Sequence, residues 1–341
     1  MDTPTPPPPP PPIILFTYDI SVFGRKMDWY FALSGLKYFH CIVLNRLPRP
    51  VLEQLGVHYR RIPILAIGRD IYCDTRIIID KLEELFPAAR ISPNSPFEKG
   101  LAHLFENWLI DGGPFWRTAG LIPPTAEVMH DPAWLKDRSS MSGRSFDMDT
   151  LMHNRPEALA HARMYFHLME HELLADGRRY LLDTPEPTLA DIHGIWTFDW
   201  TLQPRMHMLE YLEKDVISEQ LFPRTFAYVD RFRKAIARKQ EQHGMPEELS
   251  DADTIQKILA SDFFEPEGTV DPADPLRLKK GQMVEIFPVE SGFTHHDKGE
   301  LVSIGVKEVV IASKPTVGEG RLRLHFPRVN FRIQPVADAR L

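Results

Sequence analysis

The chain has 341 residues, 43% of them apolar and 26% charged, with a formal net charge of −7. That length holds two or three domains with sizeable cores. The acidic balance excludes a general nucleic-acid binder, which needs a basic surplus.

Residues 1–12 carry eight prolines, seven of them consecutive, a composition that favours an extended arm over a packed core. Ile13 to Tyr18 reads as a first strand, followed by a helix through about Leu36 with Met27, Tyr30, Phe31 and Leu33 at helical spacing. A β-rich run from Tyr38 to Leu44 follows, then a short amphipathic piece from Val51 to Leu55 closed by Gly56. Ile62 to Ile67 and Ile71 to Cys73 flank Gly68-Arg69-Asp70, the pattern of a hairpin, with Pro63 at the start of its first strand. Asp74-Thr75 then opens a helix whose apolar residues are Ile78, Leu82, Leu85 and Phe86. A helix N-terminus placed directly after a strand is an anion site, and a hydroxyl there adds a donor.

Residues 87–96 form a linker, and from Glu98 to the mid-230s the pattern is helical, with Leu101, Leu104, Phe105, Trp108 and Leu109 in one stripe. Residues 123–154 are polar and irregular and read as a long insertion; a long helix from Glu157 to Asp176 follows and is stopped by Gly177. Thr188-Leu189-Ala190-Asp191 is a capping box opening a helix through about Leu202. Residues 241–275 are acidic with a short helix around Thr254 to Phe264. Residues 276–336 switch to short β-rich runs punctuated by glycine, which predict a small β-barrel or sandwich.

Cys41 and Cys73, the only cysteines, lie in apolar strand-like runs and read as buried thiols of a reducing compartment, not as a disulfide framework. No apolar run approaches the roughly 20 residues of a membrane span, and no signal peptide is visible at the N-terminus. A cytoplasmic protein without a membrane partner is the expectation. His167-Leu168-Met169-Glu170-His171 has the spacing of an inverted zinc-peptidase motif, but no third ligand is specified and an ordinary helix face is the better reading, so no metal is expected. His295-His296-Asp297 reads as a polar turn between strands.

Two of these signals together carry a resemblance. The hairpin with Ile62-Pro63 and Asp74-Thr75, and the later Thr-x-Ala-Asp box at Thr188 to Asp191, resemble the glutathione S-transferase superfamily over residues 13–239. The resemblance implies a thioredoxin-like βαβαββα domain over 13–87 and an all-helical domain over 97–240, and it leaves the β-region outside the usual pattern. It implies glutathione as cofactor, with its γ-glutamyl end at Asp74 and Thr75 and its cysteinyl backbone at Ile62 beside a cis Pro63. Arg61, with Arg60, is a candidate for the glycyl carboxylate; a solvated charge pair is the bland alternative. The nucleophile is then the cofactor's thiol, favoured as thiolate by a hydroxyl near the first helix. Ser21 matches that position, although the usual proline after it is Val22, and Tyr18 is the rival donor. Phe23, Trp108, Phe115 and Trp116 are candidates for an apolar substrate pocket, with core packing as their default role.

The implied activity is transfer of glutathione to a small apolar electrophile, or cis-trans isomerisation of an unsaturated, polyene-like metabolite by reversible thiol addition, as in secondary metabolism. A homodimer is a further implied assembly. The alternative is a non-catalytic glutathione-transferase-like binding or scaffold module.

Overall fold

A computed structural model describes residues 10–336; most of the proline-rich arm, residues 1–9, lies outside the described residues. The chain divides into two compact units. The first comprises residues up to 21, 37–81 and 246 onward, and the second residues 22–36 and 82–245.

The first unit is built on one ten-stranded sheet. Its strands are β1 (Ile13–Thr17), β2 (Phe39–Ile42), β3 (Ile64–Ile67), β4 (Asp70–Cys73), β5 (Glu247–Glu248), β6 (Met283–Pro288), β7 (Asp297–Ile304), β8 (Glu308–Ser313), β9 (Leu322–Pro327) and β10 (Phe331–Pro335), in the order β10-β6-β7-β8-β9-β4-β3-β1-β2-β5. The hairpin expected from Gly68-Arg69-Asp70 is present, with Ile64 opposite Cys73 and Ile67 opposite Asp70. Gly68 sits at φ +58, a left-handed conformation that glycine adopts without a Cβ penalty.

The five C-terminal strands lie where the patterning placed them, and they curl. Pro327 and Phe331 are four residues apart, so they lie within about 14 Å. Five strands laid flat would separate β9 from β10 by about 19 Å. The structure differs from a self-contained barrel or sandwich in one respect: β9 also pairs in parallel with β4, Tyr72 opposite His325, so the N-terminal and C-terminal strands form one sheet. One apolar face runs through both halves, from Ile14, Phe16, Ile64 and Ile71 to Leu324, Phe326, Ile311 and Ile286, and it is covered by Val51, Leu52 and Leu55 of α2 and its flank (α2, Pro50–Gln54) and by Ile258 of α10 (Asp251–Ala260).

The opposite face of the β4–β9 seam is ionic. Asp70 takes a bidentate bond from Arg323 (2.6 and 2.9 Å) and a third contact from His325 Nε2 at 3.0 Å. His325 Nδ1 meets Glu308 at 2.7 Å, and Lys81 bridges Glu265 (2.7 Å) and Glu308 (2.9 Å). Three carboxylates thus face three cations. Glu265, Glu308 and His325 are grouped closely enough to hold a metal ion, but the Lys81 ammonium already supplies their cation. Burial alone would push His325 down; its bonds to Asp70 and Glu308 outweigh that and hold it charged, above its ordinary value.

The second unit is helical: α1 (Val22–Ser34), α4 (Pro96–Asp111), α5 (Pro114–Ala119), α6 (Pro132–Ser142), α7 (Met148–Leu168), α8 (Leu189–Thr201) and α9 (Pro223–His243). Helix α3 (Thr75–Leu85) starts in the first unit and ends in the second. The predicted capping box is present: Asp191 accepts from Thr188 N at 2.8 Å, and it also accepts from Leu181 N and the Tyr228 hydroxyl, which tie its fully buried carboxylate to α9.

The stretch 123–154, expected to be irregular, contains α6 and the start of α7. Asp131 caps α6 by accepting from Ala133 N (2.9 Å) and Trp134 N (3.3 Å), and Gly143 at φ +67 ends it. Asp147 caps α7 from Thr150 N at 2.8 Å, so that helix begins nine residues before the expected Glu157 and accommodates Pro156 in its interior. Apolar periodicity is weak in both, and the caps carry the signal. No helix among the described residues is long and apolar enough to cross a membrane.

Candidate functional site

The sheet register assembles the candidate site. Phe16 lies opposite Ile64, and Ile64 opposite Cys73. The C-terminal ends of the parallel β1 and β4, and the N-terminal end of β3 between them, therefore share one edge. The residues that follow or precede them meet there: Tyr18 and Ser21, Ile62 and Pro63, Asp74 and Thr75. Ligands of open α/β sheets bind outside the carboxyl ends of strands in this way.

The Ile62–Pro63 peptide is cis. The ladders of β3 begin at Ile64, so the Ile62 main chain lies outside both. Asp74 stands at φ +92, an uncommon backbone for a non-glycine residue, and its carbonyl accepts from Ile78 N as α3 begins. Its carboxylate is buried and engaged: Oδ1 accepts from Arg76 N at 3.1 Å, and Oδ2 accepts from the Tyr59 hydroxyl at 3.2 Å and Arg61 Nη1 at 3.4 Å. Thr75 follows, buried, as the first residue of α3.

Ser21 is buried directly ahead of α1, and its N–H donates to the Tyr18 carbonyl at 2.9 Å. Tyr18 is half-buried with its ring 5.9 Å from the Arg49 guanidinium. Arg60 is not a solvated residue: it is 2% exposed, and its carbonyl accepts from the buried Arg49.

Arg61 is committed to the protein. Besides Asp74 it binds the Glu290 carboxylate and the Ser291 carbonyl (3.0 Å from Nε, 2.8 Å from Nη2), both in the β6–β7 loop. That loop also reaches the segment before the cis proline. Asp297, read from sequence as part of a polar turn, is in fact 1% exposed and accepts from His58 N at 2.6 Å. Its Oδ2 has no partner, and burial pushes its pKa up to about 7. Phe331 stacks on Tyr59 at 5.9 Å. Sequence reasoning missed Glu290, Ser291 and Asp297 because they lie more than two hundred residues from Arg61 and His58.

The two thiols are buried, and burial pushes Cys41 up to about 11 and raises Cys73 well above its ordinary value. They are structural groups, not nucleophiles. The zinc-peptidase spacing is resolved by geometry: His167 and His171 are exposed, while Glu170 turns inward and accepts from Thr225 N (2.8 Å) and Arg224 N (3.0 Å) at the start of α9.

Among the pocket candidates, Phe23, Phe115 and Trp116 come together within the second unit. Phe115 lies 5.4 Å from Phe23, 4.8 Å from Trp116 and 5.9 Å from Trp200, and Phe23 lies 4.9 Å from Trp196. The indole nitrogens of Trp196 and Trp200 are buried without a protein partner. Trp108 packs elsewhere, edge-on against Tyr165 at 5.9 Å.

Residues 15–90 match the family described as glutathione S-transferase, N-terminal domain, and residues 117–241 match a domain of unknown function, DUF7962. A probable glutathione S-transferase of Solanum tuberosum is 24% identical over 99 residues, 29% of this chain and 46% of that protein. Glutathione S-transferase U4 of Arabidopsis thaliana is 26% identical over 84 residues, 24% of this chain and 37% of that protein. The chain thus spans less than half the length of these curated relatives. Among solved structures, a GST-like protein from Pseudomonas syringae is similar at a TM-score of 0.65 and 22% identity, over 95% of this chain and 99% of that one. The β-etherase LigF of Sphingobium sp. strain SYK-6 is similar at 0.50 and 16% identity, over 67% and 99%. These two likenesses concern the fold.

Proposed function

Since the chain belongs to the glutathione S-transferase superfamily, with a C-terminal β-region added to the usual pattern, we propose that it is a glutathione-dependent enzyme of transferase type. The observation that carries this reading is the convergence of Ser21, Ile62-Pro63 and Asp74-Thr75 at one sheet edge, through the registers Phe16 to Ile64 and Ile64 to Cys73. In this reading the Thr75 amide and hydroxyl at the start of α3 hold the γ-glutamyl carboxylate, where the helix presents its positive dipole end. Asp74 takes the ammonium, and the Ile62 main chain, outside both ladders, pairs with the cysteinyl backbone. Arg61 takes the glycyl carboxylate.

Ser21 donates to the sulfur and favours thiolate; each unit of pKa lowering corresponds to about 1.4 kcal/mol. The thiolate then attacks an electrophilic carbon of an apolar substrate and forms a C–S bond. With an unsaturated substrate, the same addition followed by bond rotation and loss of the thiolate would isomerise a double bond. The aromatic group of Phe23, Phe115 and Trp116 is the proposed apolar substrate surface, and the partnerless indole N–H groups of Trp196 and Trp200 suit a substrate with acceptor atoms. We place the protein in the cytoplasm, in keeping with its two free thiols, and assign it a homodimeric state.

The rival reading, a non-catalytic module, is favoured by the internal commitment of Asp74 and Arg61. Thiolate absorbance of the glutathione complex, titrated against pH, separates the two. A raised thiol pKa in Ser21→Ala, with wild-type behaviour in Tyr18→Phe, supports catalysis through Ser21. The reverse pattern assigns the role to Tyr18. No thiolate formed near neutral pH in the wild type sinks the enzymatic reading.

A further inference from the structure

Arg61 faces two carboxylates, Asp74 and Glu290, while its side chain is only 17% exposed. Its Nε, Nη1 and Nη2 are all donating to protein acceptors. The loop that brings Glu290 is laid directly on this segment. Gly292, at φ +69, passes so close that a Cβ there would sit 3.6 Å from Arg60 Cβ and 3.8 Å from Arg61 Cγ. Phe331 lies under the Arg61 guanidinium at 5.9 Å, and Asp297 fastens the far end of the loop to His58 N. An anion approaching Arg61 therefore meets a guanidinium already neutralised, at short range and away from solvent screening.

We propose that the C-terminal β-region carries a built-in competitor for the ligand's anionic end, with Glu290 standing on Arg61 where the glycyl carboxylate of glutathione would bind. The proposal rests on the reading of Arg61 given under Proposed function. It narrows the ligand class. A γ-glutamyl thiol whose far end is uncharged enters without displacing Glu290, whereas glutathione itself enters only as Glu290 swings off. The C-terminal region, absent from the usual family pattern, thereby sets the charge preference of the site.

The test is calorimetry on the full chain with two probes, glutathione and its glycyl monoethyl ester, against wild type and Glu290→Gln. Wild type is expected to bind the ester more tightly than glutathione. Glu290→Gln should tighten glutathione about tenfold, the scale of removing one close like charge, and leave the ester unchanged. Tighter binding of glutathione than of the ester by wild type overturns the proposal without recourse to any variant. So does a Glu290→Gln protein that binds glutathione equally or less well, which would make Glu290 a residue that orients Arg61. If neither probe binds either protein, the glutathione reading itself fails, a result distinct from both of these.

Discussion

Asp297→Asn should flatten the pH dependence of the first unit's stability. The carboxyl is fully buried, accepts from His58 N at 2.6 Å, and has a second oxygen without a partner. Burial raises its pKa to about 7, against about 3.9 in an unfolded chain. The folded state therefore binds the extra proton between those two values, and stability falls as pH rises through that window. The full loss is about 4 kcal/mol, of which about 2.6 kcal/mol falls between about pH 5 and about pH 8. Asparagine keeps an acceptor for the backbone N–H and does not titrate.

His325, whose pKa is raised by Asp70 and Glu308, loses its contribution above its ordinary value of about 6.5, but it does so in both proteins and cancels in the difference. All six tryptophans, Trp29, Trp108, Trp116, Trp134, Trp196 and Trp200, lie in the second unit, so their fluorescence does not report on Asp297. Cys41 and Cys73 are buried in the first unit, and their protection from a thiol reagent in graded urea does. Wild-type protection that holds level or rises between about pH 5 and about pH 8, or a slope in Asp297→Asn as steep as the wild type's, would contradict this role for Asp297.

A chain ended ahead of Leu276 should not fold in its first unit: it removes β9 from β4 and the partners of Asp70, leaving an open edge and a buried carboxylate without its guanidinium. A soluble truncated chain with Cys73 still protected would contradict this. Thr188→Ala should cost about 1 kcal/mol through loss of the α8 cap, measured by urea denaturation followed by tryptophan fluorescence; an unchanged midpoint would show the cap to be dispensable.

Much of the N-terminal architecture was legible because its signals are local. The hairpin at Gly68, the start of α3 at Asp74-Thr75 and the capping box at Thr188 each lie within a few residues of sequence. The seam between β4 and β9 was not. Arg323 and His325 alternate with apolar neighbours, which is how a solvent-facing strand reads, yet they face Asp70 from 253 and 255 residues away. The same distance hid Glu290 and Asp297. A polar residue in a glycine-punctuated turn reads as solvated unless the chain returns to bury it, and here the curl of β6 to β10 brings it back onto Arg61 and His58. Helix α6 was missed for a different reason: its cap at Asp131 is clear, but its apolar residues have no helical period.

Hydrogen–deuterium exchange of the full chain with and without glutathione tests whether glutathione binds at this sheet edge. Slowed exchange is expected in three stretches of the sheet edge alone, around Tyr18 to Val22, Tyr59 to Pro63 and Asp74 to Ile77. Unchanged exchange at saturating glutathione, or protection confined to other segments, would contradict it.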